Sequence, residues 1–351
     1  MLHARVIKHI LNFKVPAKTS RGTLTRKNSW YILLHDYFIG YTGIGECSVI
    51  PGLSIDDRPD YEQKLTEISS KINAGVPIEM LNLAEFPSIA FALEMAVADL
   101  NCNTEEQFVL YPSEFTEGDA GIPINGLVWM GSRDYMEQQI IEKLQHGFNT
   151  IKLKVGALDF ETELDILRNI RKQFSPKDIT IRLDANGAFT CDNVKEKLLR
   201  FSEFSIHSIE QPIRQGQAEA MAEICLESPI PIALDEELIG IFSDGQREQL
   251  LKTIRPQYII LKPGLLGGFM ACNKWTSIAD EQGINWWITS ALESNIGLNA
   301  IAQWTFRLKN PLPQGLGTGQ IYTNNISSPL TMLDGNLYCL PGKEWDLNLF
   351  R

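Results

Sequence analysis

From about residue 120 the chain repeats one local pattern, a short apolar run followed by a helical segment. The runs are IPINGLVW, TIKLKV, ITIRLDAN, HSIEQP, PIALDEE, YIILKP, INWWITSALES and QGLGTG. Near their C-terminal ends stand Lys154, Asp184, Glu210, Asp235, Lys262, Ser290 and Gly317, separated by 30, 26, 25, 27, 28 and 27 residues. A strand, a loop and a helix fit that spacing, and such units build a parallel sheet. The period is structural and carries no repeated sequence, which excludes a solenoid array. Eight units predict a closed β/α barrel. An open doubly wound sheet is the alternative, but no GxGxxG follows the first run.

The rest of the chain reads differently. RVIKHILNFKV, SWYILLHDYFIG and YTGIGECSVI are expected to be strands of an antiparallel meander, with PAKTSRGTLTRKN as a polar loop between the first two. YEQKLTEISSKINAG ends on a glycine and PSIAFALEMAVADL opens on Pro87, so both are expected to be helices. The tail from 321 lacks the barrel rhythm and is expected to pack back on the N-terminal part. The predicted architecture is therefore α/β: an α+β capping domain over 1–115, a modified β/α barrel over 116–320, and a C-terminal return over 321–351 that completes the cap.

In a barrel the reactive face lies at the C-terminal ends of the strands. Alternation puts Lys152 and Lys154 on one face of TIKLKV and Ile151, Leu153 and Val155 on the other. Alone, a KxK strand reads as a solvated edge. By the same rule Arg182, Asp184 and Asn186 share a face, although DANG alone reads as a turn. Glu210 and Asp235 end the next two runs, and either alone would serve as a loop acid or a helix cap. Together these residues leave one acid at each of three successive strand ends, on strands about 4.8 Å apart. Unpaired carboxylates that close repel and resist ionising. A hard divalent cation resolves the repulsion, and all-oxygen ligation suits Mg²⁺ better than Zn²⁺, with Mn²⁺ as a substitute. Lys262 adds a lysine across the metal site from Lys154. Like charge there is expected to ease deprotonation and make a general base for a proton α to a carboxylate.

These pieces, Lys152-x-Lys154, Asp184-Ala-Asn186, Glu210-Gln211-Pro212, Asp235-Glu236 and Lys262-Pro263, resemble the enolase superfamily in its muconate-lactonizing-like branch. The resemblance covers nearly the whole chain. It implies that Asp184, Glu210 and Asp235 bind Mg²⁺, that Lys154 and Lys262 are the paired acid/base lysines, and that Lys152 assists. TSRGTLTRK, GECSVIPGLS, TSALESNIGL and GLGTG are most similar to the members that dehydrate 2-succinyl-6-hydroxy-2,4-cyclohexadiene-1-carboxylate to o-succinylbenzoate in menaquinone biosynthesis. There Lys154 would act as base and then acid, and Lys262 as electrostatic stabiliser of the enediolate. Candidate substrate contacts are Arg182, Asn186, Ser290, Gly317 and Thr318, with Ser20 and Arg21 on a cap loop. Relatives that racemise N-acylamino acids or epimerise dipeptides use the same lysines. The epimerases carry an Asp-x-Asp at the eighth strand, where this chain has GLGTGQIY. A non-catalytic barrel that binds a small acid is the alternative of another class.

Composition sets the outer limits. The 351 residues carry a net charge of −11, which disfavours a nucleic-acid partner. The six cysteines form no CxxC pair, and MLHARVIKHILNF does not read as a leader, so reduced thiols in the cytoplasm are expected. No run reaches the roughly 20 apolar residues of a membrane helix. The expected partner is a small carboxylate, and a homo-oligomer is compatible with all of this.

Overall fold

The computed structural model describes residues 2–19, 22–102 and 108–351. Three antiparallel strands come first, in the order β1 (Leu2–Thr19), β2 (Gly22–Asp36), β3 (Tyr41–Ser48). Helix α1 (Tyr61–Asn73) packs on β1, and α2 (Pro87–Cys102) on β3. The polar stretch read as a loop is strand on both sides of a hairpin, since β1 runs to Thr19 and β2 starts at Gly22. The pairing slips from Asn12↔Arg26 to Ala17↔Leu24, a bulge that holds Pro16. Lys14, Val15, Pro16, Thr23, Thr25 and Arg26 are exposed, so the hairpin lacks the apolar alternation that marks a half-buried strand.

A short helix α3 (Glu114–Glu117) and β4 (Ile122–Pro123) lead into the barrel. The strand and helix units follow in order: β5 (Gly126–Val128), α4 (Arg133–Gln145), β6 (Thr150–Lys154), α5 (Phe160–Gln173), β7 (Thr180–Asp184) and α6 (Val194–Ser202). Then come β8 (Ser208–Glu210), α7 (Ala218–Glu227), β9 (Ile232–Leu234), α8 (Asp244–Ile254) and β10 (Tyr258–Leu261). Last are α9 (Pro263–Leu266), α10 (Phe269–Glu281), β11 (Asn285–Ile288) and α11 (Asn295–Leu308). Some of these helices start on side-chain caps. Asp159 accepts from Glu161 N and Thr162 N at α5, and Ser243 and Gln246 form a capping box at α8.

Strands β5 to β11 form one parallel sheet in sequence order, curled with its aliphatic outer face under the helices. The eighth run does not form a strand among the described residues. It closes the sheet through two parallel bridges, Ile124↔Gln314 and Thr289↔Gly315. A Cβ on Gly315 would lie 2.4 Å from Thr289 Oγ1, so only glycine permits that approach. The first run also divides: β4 pairs with the tail and β5 with β6. The tail forms a hairpin, β12 (Leu330–Leu333) and β13 (Asn336–Cys339), whose second strand pairs with β4. As expected it also returns to the cap, where Lys14 N donates to Ile321 O (2.8 Å), Thr323 N to Asn12 O (2.9 Å) and Arg5 Nη2 to Phe350 O (2.7 Å).

Candidate active site

Strand register assembles the site. Lys154 pairs with Asp184, and Asp184 with Glu210, so three charged residues form one row across β6, β7 and β8. Asp235 and Lys262 each follow directly on the last residue of their strand, β9 and β10. Lys154, Asp184 and Lys262 line the barrel mouth, whereas Glu210 and Asp235 do not line it and lie against Lys152 and Lys262; the alternate residues, such as Leu153, Leu183 and Ile209, are buried under the helices.

The cavity at this mouth is lined by Lys152, Lys154, Asp184, Asn186, Glu236, Lys262, Ser290, Gly317 and Thr318. Its apolar wall comes partly from the cap, through Leu24, Ile50, Pro51 and Leu53, and partly from Leu127, Trp129, Ala291 and Leu292 of the barrel. The lysines grip the acids. Lys152 Nζ lies 2.9 Å from Asp184 Oδ2 and bonds Glu210 Oε2. Lys154 Nζ donates to Asp184 Oδ2 (3.0 Å) and Asn186 Oδ1 (2.5 Å). Lys262 Nζ donates to Asp235 Oδ2 at 2.5 Å. Asn186 Nδ2 donates in turn to Glu236 Oε1 at 3.0 Å.

Burial is the largest influence on Lys152 and lowers its pKa. The combined fields of Asp184, Glu210 and Asp235 outweigh it and hold the ammonium form. Burial likewise works against the Lys262 ammonium, but Asp235 and Glu236 prevail and raise its pKa. For Lys152 and Lys262 this sign is opposite to the eased deprotonation expected from lysine–lysine repulsion, because the carboxylates that touch them outweigh it. Burial would raise the Asp184 carboxyl, yet Lys152, Lys154 and Lys262 hold it below its ordinary range. Glu210 is pushed up to about 7, first by burial, with Asp184 and Asp235 adding to it against Lys152.

The residues fit a hard divalent cation by their chemistry. Asp184, Glu210 and Asp235 are buried carboxylates, and Glu210 Oε1 is buried without a hydrogen-bond partner. As placed, the ammonium groups occupy the space between them. Among the described residues no three His, Cys, Asp or Glu side chains close on one point. A cation there competes with the lysines for the same oxygens.

Other candidates divide. Ser290 and Thr318 share a hydroxyl hydrogen bond of 2.6 Å at the cavity wall, beside Gly317. Arg182 lies one pleat deeper and does not line the cavity. Its guanidinium sits 4.0 Å over the Trp287 ring and donates to Pro313 O at 2.8 Å, so it supports the floor. Desolvation lowers its pKa to about 10, against the field of Glu210. Ser20 and Arg21 lie outside the described residues. Glu293 accepts from Ala291 N at 2.6 Å, within the turn after β11. Asn125, Glu236 and Trp129 line the cavity without having been singled out as site residues. Glu236 has a signal in the sequence, as neighbour of Asp235 in the Asp235-Glu236 pair.

A family described as "Enolase C-terminal domain-like" matches residues 135–342, which include every charged residue of this site. The chain belongs to the enolase superfamily. Within the superfamily it is 47% identical to the o-succinylbenzoate synthase of Desulfotalea psychrophila (strain LSv54 / DSM 12343), over 93% of this chain and 96% of that one. The crystal structure of MenC from Desulfotalea psychrophila LSv54 superposes with a TM-score of 0.85 at 42% identity, covering 96% of this chain and 99% of that chain. A dipeptide epimerase from Cytophaga hutchinsonii, solved with Mg and the dipeptide D-Ala-L-Val, shares the fold at 21% identity (TM-score 0.82, 99% and 96% covered).

Proposed function

We propose that the protein dehydrates 2-succinyl-6-hydroxy-2,4-cyclohexadiene-1-carboxylate to o-succinylbenzoate, a carbon–oxygen lyase reaction of menaquinone biosynthesis. The observation that carries this reading is the 47% identity to an o-succinylbenzoate synthase along 93% of the chain. The opposed lysines at the barrel mouth supply the chemistry. Lys154 removes the proton α to the carboxylate. The electron pair left by that C–H bond forms the new double bond as the C–O bond breaks, and the hydroxyl leaves as water with the proton Lys154 has taken. Lys262, on the far side, places its ammonium against the negative charge that develops on the carboxylate. Lys152 is a positioning residue that holds Asp184 and Glu210.

Asp184, Glu210 and Asp235 would hold Mg²⁺, or Mn²⁺ in its place. Bound there, the cation would supply Lewis-acid stabilisation of the substrate carboxylate. Asn186, Ser290, Gly317 and Thr318 bind the substrate, with Ser20 and Arg21 of the cap as further contacts. Arg182 acts from beneath. The working division is a cap over 1–115, a barrel over 116–320 and a return over 321–351, in a cytoplasmic enzyme whose partner is a small dianion. No helix among the described residues is long and apolar enough to cross a membrane.

The test is turnover of the cyclohexadiene substrate by purified protein with and without EDTA. Activity should vanish with the chelator and return with Mg²⁺. Metal-independent turnover would sink the reading. So would inactivity together with rapid α-deuterium exchange into N-succinylamino acids, which would mark a racemase.

A further inference from the structure

We propose that Lys27 and Ser48 of the cap are positioning residues for the substrate, because together they hold the turn after β11 that forms one wall of the cavity. The inference rests on the reading of this cavity as the succinyl-acid site. It joins two stretches, GECSVIPGLS and TSALESNIGL, that stand far apart in sequence and meet here.

Lys27 is 1% exposed. Its ammonium donates to Ser48 Oγ (2.7 Å) and Ser29 Oγ (3.1 Å). Each serine passes the contact on. Ser48 Oγ donates to Ala291 O at 3.0 Å, at the front of the turn. Ser29 Oγ donates to Glu46 Oε1 at 2.8 Å. Glu46 then accepts from Ser294 N (2.9 Å), Ser294 Oγ (2.6 Å) and Gly297 N (3.0 Å), at the back of the turn and the start of α11. One cap ammonium thus reaches both ends of the 291–294 segment.

That segment needs outside support. Leu292 has a φ of +60°, a left-handed conformation that a branched side chain adopts at a cost. Its carbonyl is held by Tyr322 Oη at 2.7 Å. Ser290, Ala291 and Leu292 all face the cavity, as do Ile50, Pro51 and Leu53, which follow Ser48. A slip of the turn would move the wall against which the substrate lies.

Replacing Lys27 alone takes the ammonium away from the buried carboxylates of Glu46 and Glu293, so Lys27→Met costs stability as well as the contact to Ser48. Ser48→Ala, which removes no charge, is therefore the informative variant, with Lys27→Met as a second and larger change. Melting temperature, kcat and KM for the cyclohexadiene substrate, and calorimetric affinity for o-succinylbenzoate are measured on each. The expected result for Ser48→Ala is KM raised about tenfold, the loss of one well-placed hydrogen bond, with kcat within about twofold and an unchanged melting temperature; Lys27→Met should raise KM likewise and melt lower than wild type. Unchanged KM and product affinity in well-folded variants would overturn the proposal. A loss of kcat and KM together that tracks a fall in melting temperature would overturn it too. A wild type that binds o-succinylbenzoate but does not turn over the substrate overturns the functional reading alone, and the affinity comparison still decides this one. A wild type that does neither overturns both.

Discussion

Lys152 and Lys154 leave β6 in the same direction, with side chains 9% and 11% exposed, yet their neighbours differ. Lys152 is enclosed by Asp184 and Glu210, and their field keeps it protonated. Lys154 meets Asp184 and the neutral amide of Asn186 nearer the mouth. Proton transfer should therefore belong to Lys154. Lys154→Ala should lower kcat by about 10³-fold, within the range for a lost general base, and leave the denaturation curve unchanged. Lys152→Met strands two buried carboxylates and should instead cost about 3 kcal/mol or more of stability without Mg²⁺, measured by urea unfolding. Equal kinetic losses and equal stabilities would refute this division. The parity of TIKLKV shows both lysines on one face. Their separate roles depend on Glu210, 58 residues away from Lys152, and are not legible locally.

At the scale of elements, β3 lies directly on α2. A Cβ on Gly45 would meet Ala92 O at 1.8 Å, and one on Gly43 would meet Ala96 O at 2.1 Å. Both obstacles are backbone and cannot rotate away. Gly45→Ala should therefore exceed the usual 1–3 kcal/mol of overpacking, at about 3 kcal/mol or more by chemical denaturation. A loss below about 1 kcal/mol would show that α2 can shift. Apolar runs at regular spacing make the barrel strands legible, whereas the outer hairpin of β1 and β2 reads as loop because its inward side is carried by only Ala17, Leu24 and Lys27 among polar residues. The eighth run ends the same rhythm, which predicts a strand. With Pro311, Pro313 and three glycines from 315 to 319, it offers little for a ladder and makes bridges only.

Across the whole molecule, buried acids tie stability to pH. Burial raises Asp99 from 3.8 to about 7, against the pull of Ile44 N and Tyr41 Oη, which donate to it at 3.0 and 3.1 Å. Between about pH 4 and pH 7 the folded chain keeps this proton and the unfolded chain has lost it. The folded state then binds more protons, so this group's contribution falls as pH rises through the window and is flat above it. Asp99→Asn should abolish that component, leaving a smaller fall in melting temperature from pH 4 to pH 7 than wild type shows. Identical slopes would mean that Asp99 ionises normally. The site's core was legible without tertiary information, because side-chain parity within a strand and spacing between strands are local properties. They place Lys154, Asp184, Glu210, Asp235 and Lys262 at one end of one sheet whatever else the chain does. Depth is not local. Only the closed barrel decided that Arg182 stacks under the floor on Trp287, that Leu24 and Trp129 wall the cavity, and that Lys27 reaches the 291–294 turn through Ser48. Each of those contacts joins segments far apart in sequence, and residue pattern carries no record of which distant surfaces will meet.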